Sequence, residues 1–311
     1  MNRREFLETV AAAAAVPSLA TQAPPNEWGS PVFDLHFHLR AEPASNFKHF
    51  DGAGITKANL LTRGPAVDRV KAMEAAAPGR FTWFNSYDVS KPDAEQVLGQ
   101  AVKNGAQGFG ELKFHVAADG PELRRIYALA ADLKVPLLIH FQEVDHFPGE
   151  GTWSTGYAKT FASILKAYPK TTFIGHADAF WANVSADYQN QAAYPTGPIA
   201  RGGVTDRWLG DYPNLYGDLS ANSGNNAMSR DPEFTADFLK RHQDKLLFGS
   251  DCGCADGRGG GVSQNNNPAA ARVAGKCVAR ETLGLLERST APEVFQKLVW
   301  GNAHKLLRIP A

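Results

Sequence analysis

Residues 32–39 read VFDLHFHL, and how that stretch is taken decides the fold. Apolar and polar residues alternate along it, which is the period of a β-strand. The polar positions are Asp34, His36 and His38, with Phe33, Leu35, Phe37 and Leu39 between them. An acid and two imidazoles aligned along one side of a buried strand are costly unless something uses their lone pairs.

Working outward, the same kind of short apolar run recurs: ITKANLL (55–61), FTWFNSY (81–87), GFGELKFHV (108–116), PLLIHFQ (136–142), TTFIGHA (171–177), LYGDLSA (215–221) and KLLFGSD (245–251). Between the runs lie helix-like stretches at 66–77, 94–105, 121–134, 157–169 and 232–242, and a closing one at 292–309. Strands that alternate with helices imply crossover connections and a parallel sheet. Eight such strands predict an α/β chain folded as a (β/α)8 TIM barrel, one domain over residues 24–311. An open doubly wound sheet is the competing arrangement, but no Gly-x-Gly-x-x-Gly turn follows the first strand. Two long segments break the alternation: aromatic, Gly/Pro-rich residues 178–211 after strand six, and Gly/Asn-rich residues 252–276 after strand eight. Loops of that length are usually lids or binding loops.

The chain has 311 residues, 43% of them hydrophobic and 21% charged, as expected of a globular protein rather than a disordered one. Lys plus Arg and Asp plus Glu are both 32, and no basic block supplies the footprint of a nucleic-acid or anionic-membrane binder. A small-molecule partner is expected, without nucleic acid and without stable membrane insertion; no coiled coil or apolar edge announces an oligomer. Residues 1–23 carry Arg3-Arg4, then Phe6-Leu7, an alanine-rich run and small residues at Ala20 and Ala23. They read as a twin-arginine export signal, which implies a periplasmic or secreted protein beginning near Pro24. Cys252, Cys254 and Cys277 read as one disulfide plus a free thiol, or as plain thiols, in preference to a thiolate metal site.

The polar residues at strand ends carry the chemistry. His36 and His38 end strand one, His140 strand five, His176 strand six and Asp251 strand eight. In a barrel these separated positions converge at the C-terminal mouth, where they form a nitrogen and oxygen ligand set suited to zinc, manganese, iron or nickel. On strand four, Glu111, Lys113 and His115 share one face by parity. Glu111 would bridge a second metal; the alternative is a Glu111–Lys113 charge pair beside a single ion, so one or two metals are expected, with zinc the default.

These motifs, His36-x-His38, LLIHFQE, FIGHAD and FGSD, resemble those of the amidohydrolase superfamily, in particular its amidohydrolase-related branch, over residues 32 to about 309. GELKFH differs from the GIKLH-like fourth strand common there and looks more like the strand-four glutamate of TatD-type nucleases. The resemblance implies a metal-dependent hydrolase. His36, His38, His140 and Asp251 would hold the ion, Asp251 would act as general base, and His176 would be a further ligand or would orient the water. The bond cleaved would be the C–N or C–O bond of an amide, lactone or ester. The branch also implies an alternative, a metal-dependent decarboxylase or hydratase of a small unsaturated acid, with Arg40, Arg63 or Arg201 pairing the substrate charge. Lys113 and His115 are further substrate-binding candidates, and a non-catalytic ligand-binding barrel is a third reading. His49 and His146 are expected in loops exposed to solvent, His242 on a helix surface, and His304 in a structural helix. Phe180, Trp181, Tyr194 and Trp208 are expected to anchor the long loop or to line a pocket. Asp218 and Ser220 share an inward parity on strand seven, and Asp34 supports the site from below.

Overall fold

The computed structural model describes residues 27–146, 149–260 and 272–309; the stretch read as an export signal and part of the loop after strand eight lie outside them. Eight parallel strands pair in sequence order, β1 Phe33–His38, β2 Lys57–Arg63, β3 Phe81–Ser86, β4 Gly108–Leu112, β5 Leu137–His140, β6 Phe173–His176, β7 Leu215–Asp218 and β8 Leu246–Leu247. The helices among the described residues are α1 Pro43–Ala53, α2 Val67–Ala76, α3 Ala94–Lys103, α4 Pro121–Leu133, α5 Tyr157–Ala167, α6 Asp178–Ala182, α7 Val204–Asp211, α8 Ala221–Ser229, α9 Pro232–Arg241, α10 Val278–Ser289, α11 Pro292–Gln296 and α12 Asn302–Leu307. This is a single-domain (β/α)8 barrel, nearly closed. Its last strand is only two residues long, so the seam to β1 is made outside the ladder. Leu35 N–H donates to Phe248 O at 3.0 Å and Asp251 N–H to His36 O at 2.8 Å. The Asp34 carboxylate accepts from Ser250 N at 2.8 Å and Ser250 Oγ at 2.5 Å. Asp34 also accepts from His36 N at 3.0 Å, so it holds the seam and, as expected, supports the site from below.

The register of β1 against β2 slips between Asp34 and Phe37. A bulge lets consecutive residues serve one side: Leu35 joins an inner apolar cluster while His36, next to it, reaches the polar groups at the mouth. That inner cluster includes Phe33, Leu35, Phe84, Leu138, Ile174 and Leu247, and Ala303 and Leu307 of α12 close it at the N-terminal end of the strands. The larger cluster packs the helices on the outside of the strands. His304, on α12, packs at the floor of the inner cluster in a structural role as expected, edge-on to Phe33 and 3.9 Å centroid to centroid from Trp300.

Several local expectations change. The 178–211 segment is helical at both ends, as α6 and α7, and Phe180, Trp181 and Trp208 are core residues that anchor it. The closing stretch is not one helix: α11 and α12 are joined by a π-helical turn, Lys297–Gly301. α8, sequence ANSGNNAMS, has no apolar periodicity to reveal it; tertiary hydrogen bonds hold it, with Arg272 donating to Asn222 Oδ1 at 2.8 Å and Asn226 Oδ1 at 2.9 Å. His242 is buried, with Nε2 2.7 Å from Asp206 Oδ1, because α9 turns that side inward. His49 lies on α1 and is fully buried. His146 is partly buried, 2.9 Å from Asp178 Oδ1.

Candidate metal centre

The barrel brings His36, His38, Glu111, His140, His176 and Asp251 together at its C-terminal mouth. His36 Nδ1 lies 2.6 Å from Asp218 Oδ2. With that nitrogen donating to Asp218, Nε2 faces the cluster, 3.3 Å from His38 Nε2 and 3.8 Å from Asp251 Oδ1. Asp218 also accepts from Ser220 Oγ at 2.8 Å, and Ser220 Oγ lies 2.9 Å from His176 Nδ1. One buried carboxylate and one hydroxyl therefore set the orientation of two imidazoles.

Glu111 sits at the centre. Its Oε2 lies 3.4 Å from His38 Nε2, while its Oε1 lies 2.5 Å from His140 Nδ1 and 3.6 Å from His176 Nε2. Each carboxylate oxygen addresses a different set of imidazoles. His140 Nε2 in turn lies 2.9 Å from Gln142 Oε1, a positioning contact that parity alone does not disclose.

Asp251 is delivered by a sharp turn, with a left-handed φ of 42°. Its Oδ1 is 3.4 Å from His38 Nε2 and its Oδ2 3.8 Å from His176 Nε2. Gly249, two residues earlier, has to be glycine: a Cβ there would run into the Asp218 carboxylate and His36 Cβ.

The electrostatics favour added positive charge. Burial opposes protonation of His36, but the carboxylates of Asp251, Asp218 and Glu111 outweigh it and raise the imidazole to about 10. Burial likewise opposes ionisation of Glu111, yet His140, His38 and His36 hold its carboxyl well below the usual range. Asp251 is lowered against burial by His36 and His38. Burial and the neighbouring His36 push His176 well below the ordinary imidazole range, leaving it neutral with a lone pair to offer. The donor atoms fit a divalent ion. His36, Glu111 and His176 form one compact group and His36, His38 and Asp251 another, the atoms of each within 4.8 Å of one another. Separations of 3.3 to 3.8 Å match the ~3.4 Å edge of a polyhedron built on bonds of about 2.1 Å.

The remaining candidates divide. Lys113 lies beyond the end of β4, 3.6 Å from Glu150 Oε1. It lines a cavity of about 220 Å³ with His140, His146, His176, Tyr194 and Asp251. His115 does not share that face: β4 ends at Leu112, and the His115 ring stacks on Trp153 at 3.6 Å, exposed at the surface. Arg40 turns away from the cluster and donates to Cys252 O at 3.0 Å and Cys254 O at 2.8 Å. Arg201 is exposed on the outside, 3.0 Å from Asp237 Oδ2. Arg63 lines a second cavity of about 220 Å³, with Arg69, His38 and Glu111.

Among solved structures, the chain is similar to dihydroorotase (pyrC) from Campylobacter jejuni, with a TM-score of 0.54 and 17% identity over 90% of this chain and 84% of that one. It is also similar to YJJV, a TatD homologue from Escherichia coli K12, with a TM-score of 0.52 and 15% identity over 90% of this chain and 98% of that one. At such identities the likeness is one of fold. No curated protein sequence matches the chain. A family model described as amidohydrolase (Amidohydro_2) matches residues 37–309, and the chain belongs to that family.

Proposed function

We propose that the protein is a metal-dependent hydrolase that uses two divalent ions to cleave a C–N or C–O bond in a small amide, lactone or ester. The observation that carries this reading is Glu111, whose two carboxylate oxygens face separate sets of imidazoles. His36, His38 and Asp251 would hold one ion and His140 and His176 the other, with Glu111 between them. Zinc suits this mixed nitrogen and oxygen set, as do manganese, iron and nickel. When bound, the ions supply Lewis acidity and an activated water.

The chain's own residues do the rest. Asp218 fixes the tautomer and ring direction of His36. Ser220 does the same for His176. Asp251, ionised and part-exposed at the mouth, takes the proton of the attacking water at its carboxylate and returns it to the departing nitrogen or oxygen. Lys113 and Tyr194 line the cavity beside these groups and would contact the substrate. The sequence of residues 1–23 supports action in the periplasm or outside the cell, and a double Arg3→Lys, Arg4→Lys chain should fail to be exported.

A panel of small cyclic amides, lactones and aryl esters, assayed with metal-stripped and metal-restored protein, tests the reading. Hydrolysis that returns with the metal and a loss of one bound metal in Glu111→Gln are expected. Metal-independent hydrolysis, or no turnover by a fully loaded chain, would overturn it. A decarboxylase or hydratase is the second reading, favoured by Arg63 and Arg69 beside His38 and Glu111, where a substrate carboxylate would pair. Metal-dependent carbon dioxide release, or hydration of an unsaturated acid, without hydrolysis of the panel would select it.

A further inference from the structure

Beside the mouth, along the segment that follows Asp251 and borders the same cavity, lies a second group of ligating side chains. Cys252 and Cys254 come from the loop after β8, Cys277 caps the N-terminus of α10, and His49 comes from α1. All four are buried, His49 completely, and their ligand atoms lie within 4.8 Å of one another. The disulfide that the cysteine count allows is absent: the cysteines are free thiols, with Cys252 Sγ 3.4 Å from Cys254 Sγ and 3.7 Å from Cys277 Sγ. His49 Nδ1 lies 3.5 Å from Cys254 Sγ.

Those separations match an ion with bonds of about 2.3 Å to sulfur and about 2.0 Å to nitrogen, whose tetrahedral edges are ~3.8 Å between sulfurs and ~3.5 Å from sulfur to nitrogen. The sulfurs act on one another: Cys252, Cys277 and His49 lower the Cys254 thiol, while Cys254 pushes Cys252 up and both of these push Cys277 up, so that a shared cation would relieve all three. Cys277 sits at the N-cap of α10, where the helix dipole favours negative charge. The Arg40 guanidinium rests on the carbonyls of Cys252 and Cys254 and offsets the charge of three sulfurs. The backbones are also built to approach. A Cβ on Gly52 would collide with Asp256 O, and one on Gly257 with His49 O.

We infer that Cys252, Cys254, Cys277 and His49 form a closed zinc site, separate from the catalytic centre, that pins the segment after Asp251 to α1 and α10. Four protein ligands leave no position for water, the arrangement of a structural rather than a catalytic ion. His49 must then bind through Nδ1 and carry its proton on Nε2. Its role is to hold in place the turn that presents Asp251.

Sulfur gives this site a signature that the nitrogen and oxygen ligands of the mouth cannot produce. Cobalt(II) loaded into the whole protein should show sulfur-to-metal charge-transfer absorption. The band should persist in Asp251→Asn and Glu111→Gln and vanish in Cys277→Ser, which should also bind one zinc fewer per chain. His49→Ala should weaken the band and release zinc more readily to a chelator. If Cys277→Ser does not fold, the intact protein still decides. No charge-transfer band on cobalt loading, or three thiols that react freely in the native zinc-loaded protein, would overturn the inference, as would a Cys252–Cys277 disulfide in protein purified without oxidant. Failure of the catalytic reading would leave the band intact, and failure of this one would leave the metal-dependent activity intact.

Discussion

The two ends of the barrel are built from the same strands and do opposite work. At the N-terminal end Phe33, Leu35, Leu138, Ile174 and Leu247 fill the interior and α12 seals it. A few residues further along, β5 and β6 change from Leu138 and Ile174 to His140 and His176, and imidazoles and carboxylates replace the aliphatic packing. The floor supplies hydrophobic stabilisation, while the mouth gathers buried carboxylates and imidazoles whose desolvation is offset only by pairing with one another or with a bound cation. Stability and chemistry are separated by about two residues along each strand.

Substitutions can break that division or sharpen it. The largest expected effect is at the mouth: Asp251→Asn should lower kcat by about 10²- to 10⁴-fold, with little change in Tm, read by steady-state kinetics and thermal melts on the same preparations. At the floor, Leu138→Ala should cost about 2 to 5 kcal/mol in urea unfolding and leave the metal stoichiometry of the surviving folded protein unchanged. A loss of metal there would mean that the two ends are not separable. Asp218→Asn addresses orientation alone. It should weaken metal binding by about 10- to 100-fold in a chelator competition, and Ser220→Ala should do less.

The smallest expected effect is a pH slope carried by the floor. Burial, helped by Lys57, lowers His304 to about 4, whereas the unfolded chain keeps it near the ordinary ~6.5. Between those values the unfolded state binds the proton and the folded state does not, so His304 removes stability as pH falls from about 6.5 to about 4. His304→Phe should flatten the fall in Tm over that window relative to the intact chain and leave the curve above pH 7 unchanged.

Much of the mouth is readable in the sequence because its polar residues fall at the ends of short apolar runs, where strand alternation and barrel geometry fix their direction. His140 and His176 are of this kind, and so is Glu111, still inside β4; His36 owes its direction to the bulge in β1 and Asp251 to a left-handed turn beyond β8, which alternation does not contain. His115 departs from this rule because alternation ends where β4 stops, at Leu112. Parity turns Asp218 inward, but its support of His36 depends on the distance between β7 and β1, which parity does not contain. The sulfur cluster ranks low in a sequence reading for the same reason on a larger scale. Cys-x-Cys is a weak pattern alone, and its completing groups come from α1, some two hundred residues earlier, and from the cap of α10. α8 stayed invisible because its helix is held by asparagine and arginine contacts and has no apolar stripe.

The two-residue β8 has a kinetic consequence. The seam that closes the ring joins Asp34 to Ser250, 216 residues apart in the chain, and the apolar floor is completed only by Leu307. A nascent chain leaving the ribosome can pair its strands one after another, yet the first strand keeps a bare edge until nearly all of the rest has been made. Ring closure is therefore a late, long-range event, and until it happens β1 exposes its backbone donors and acceptors to any passing strand.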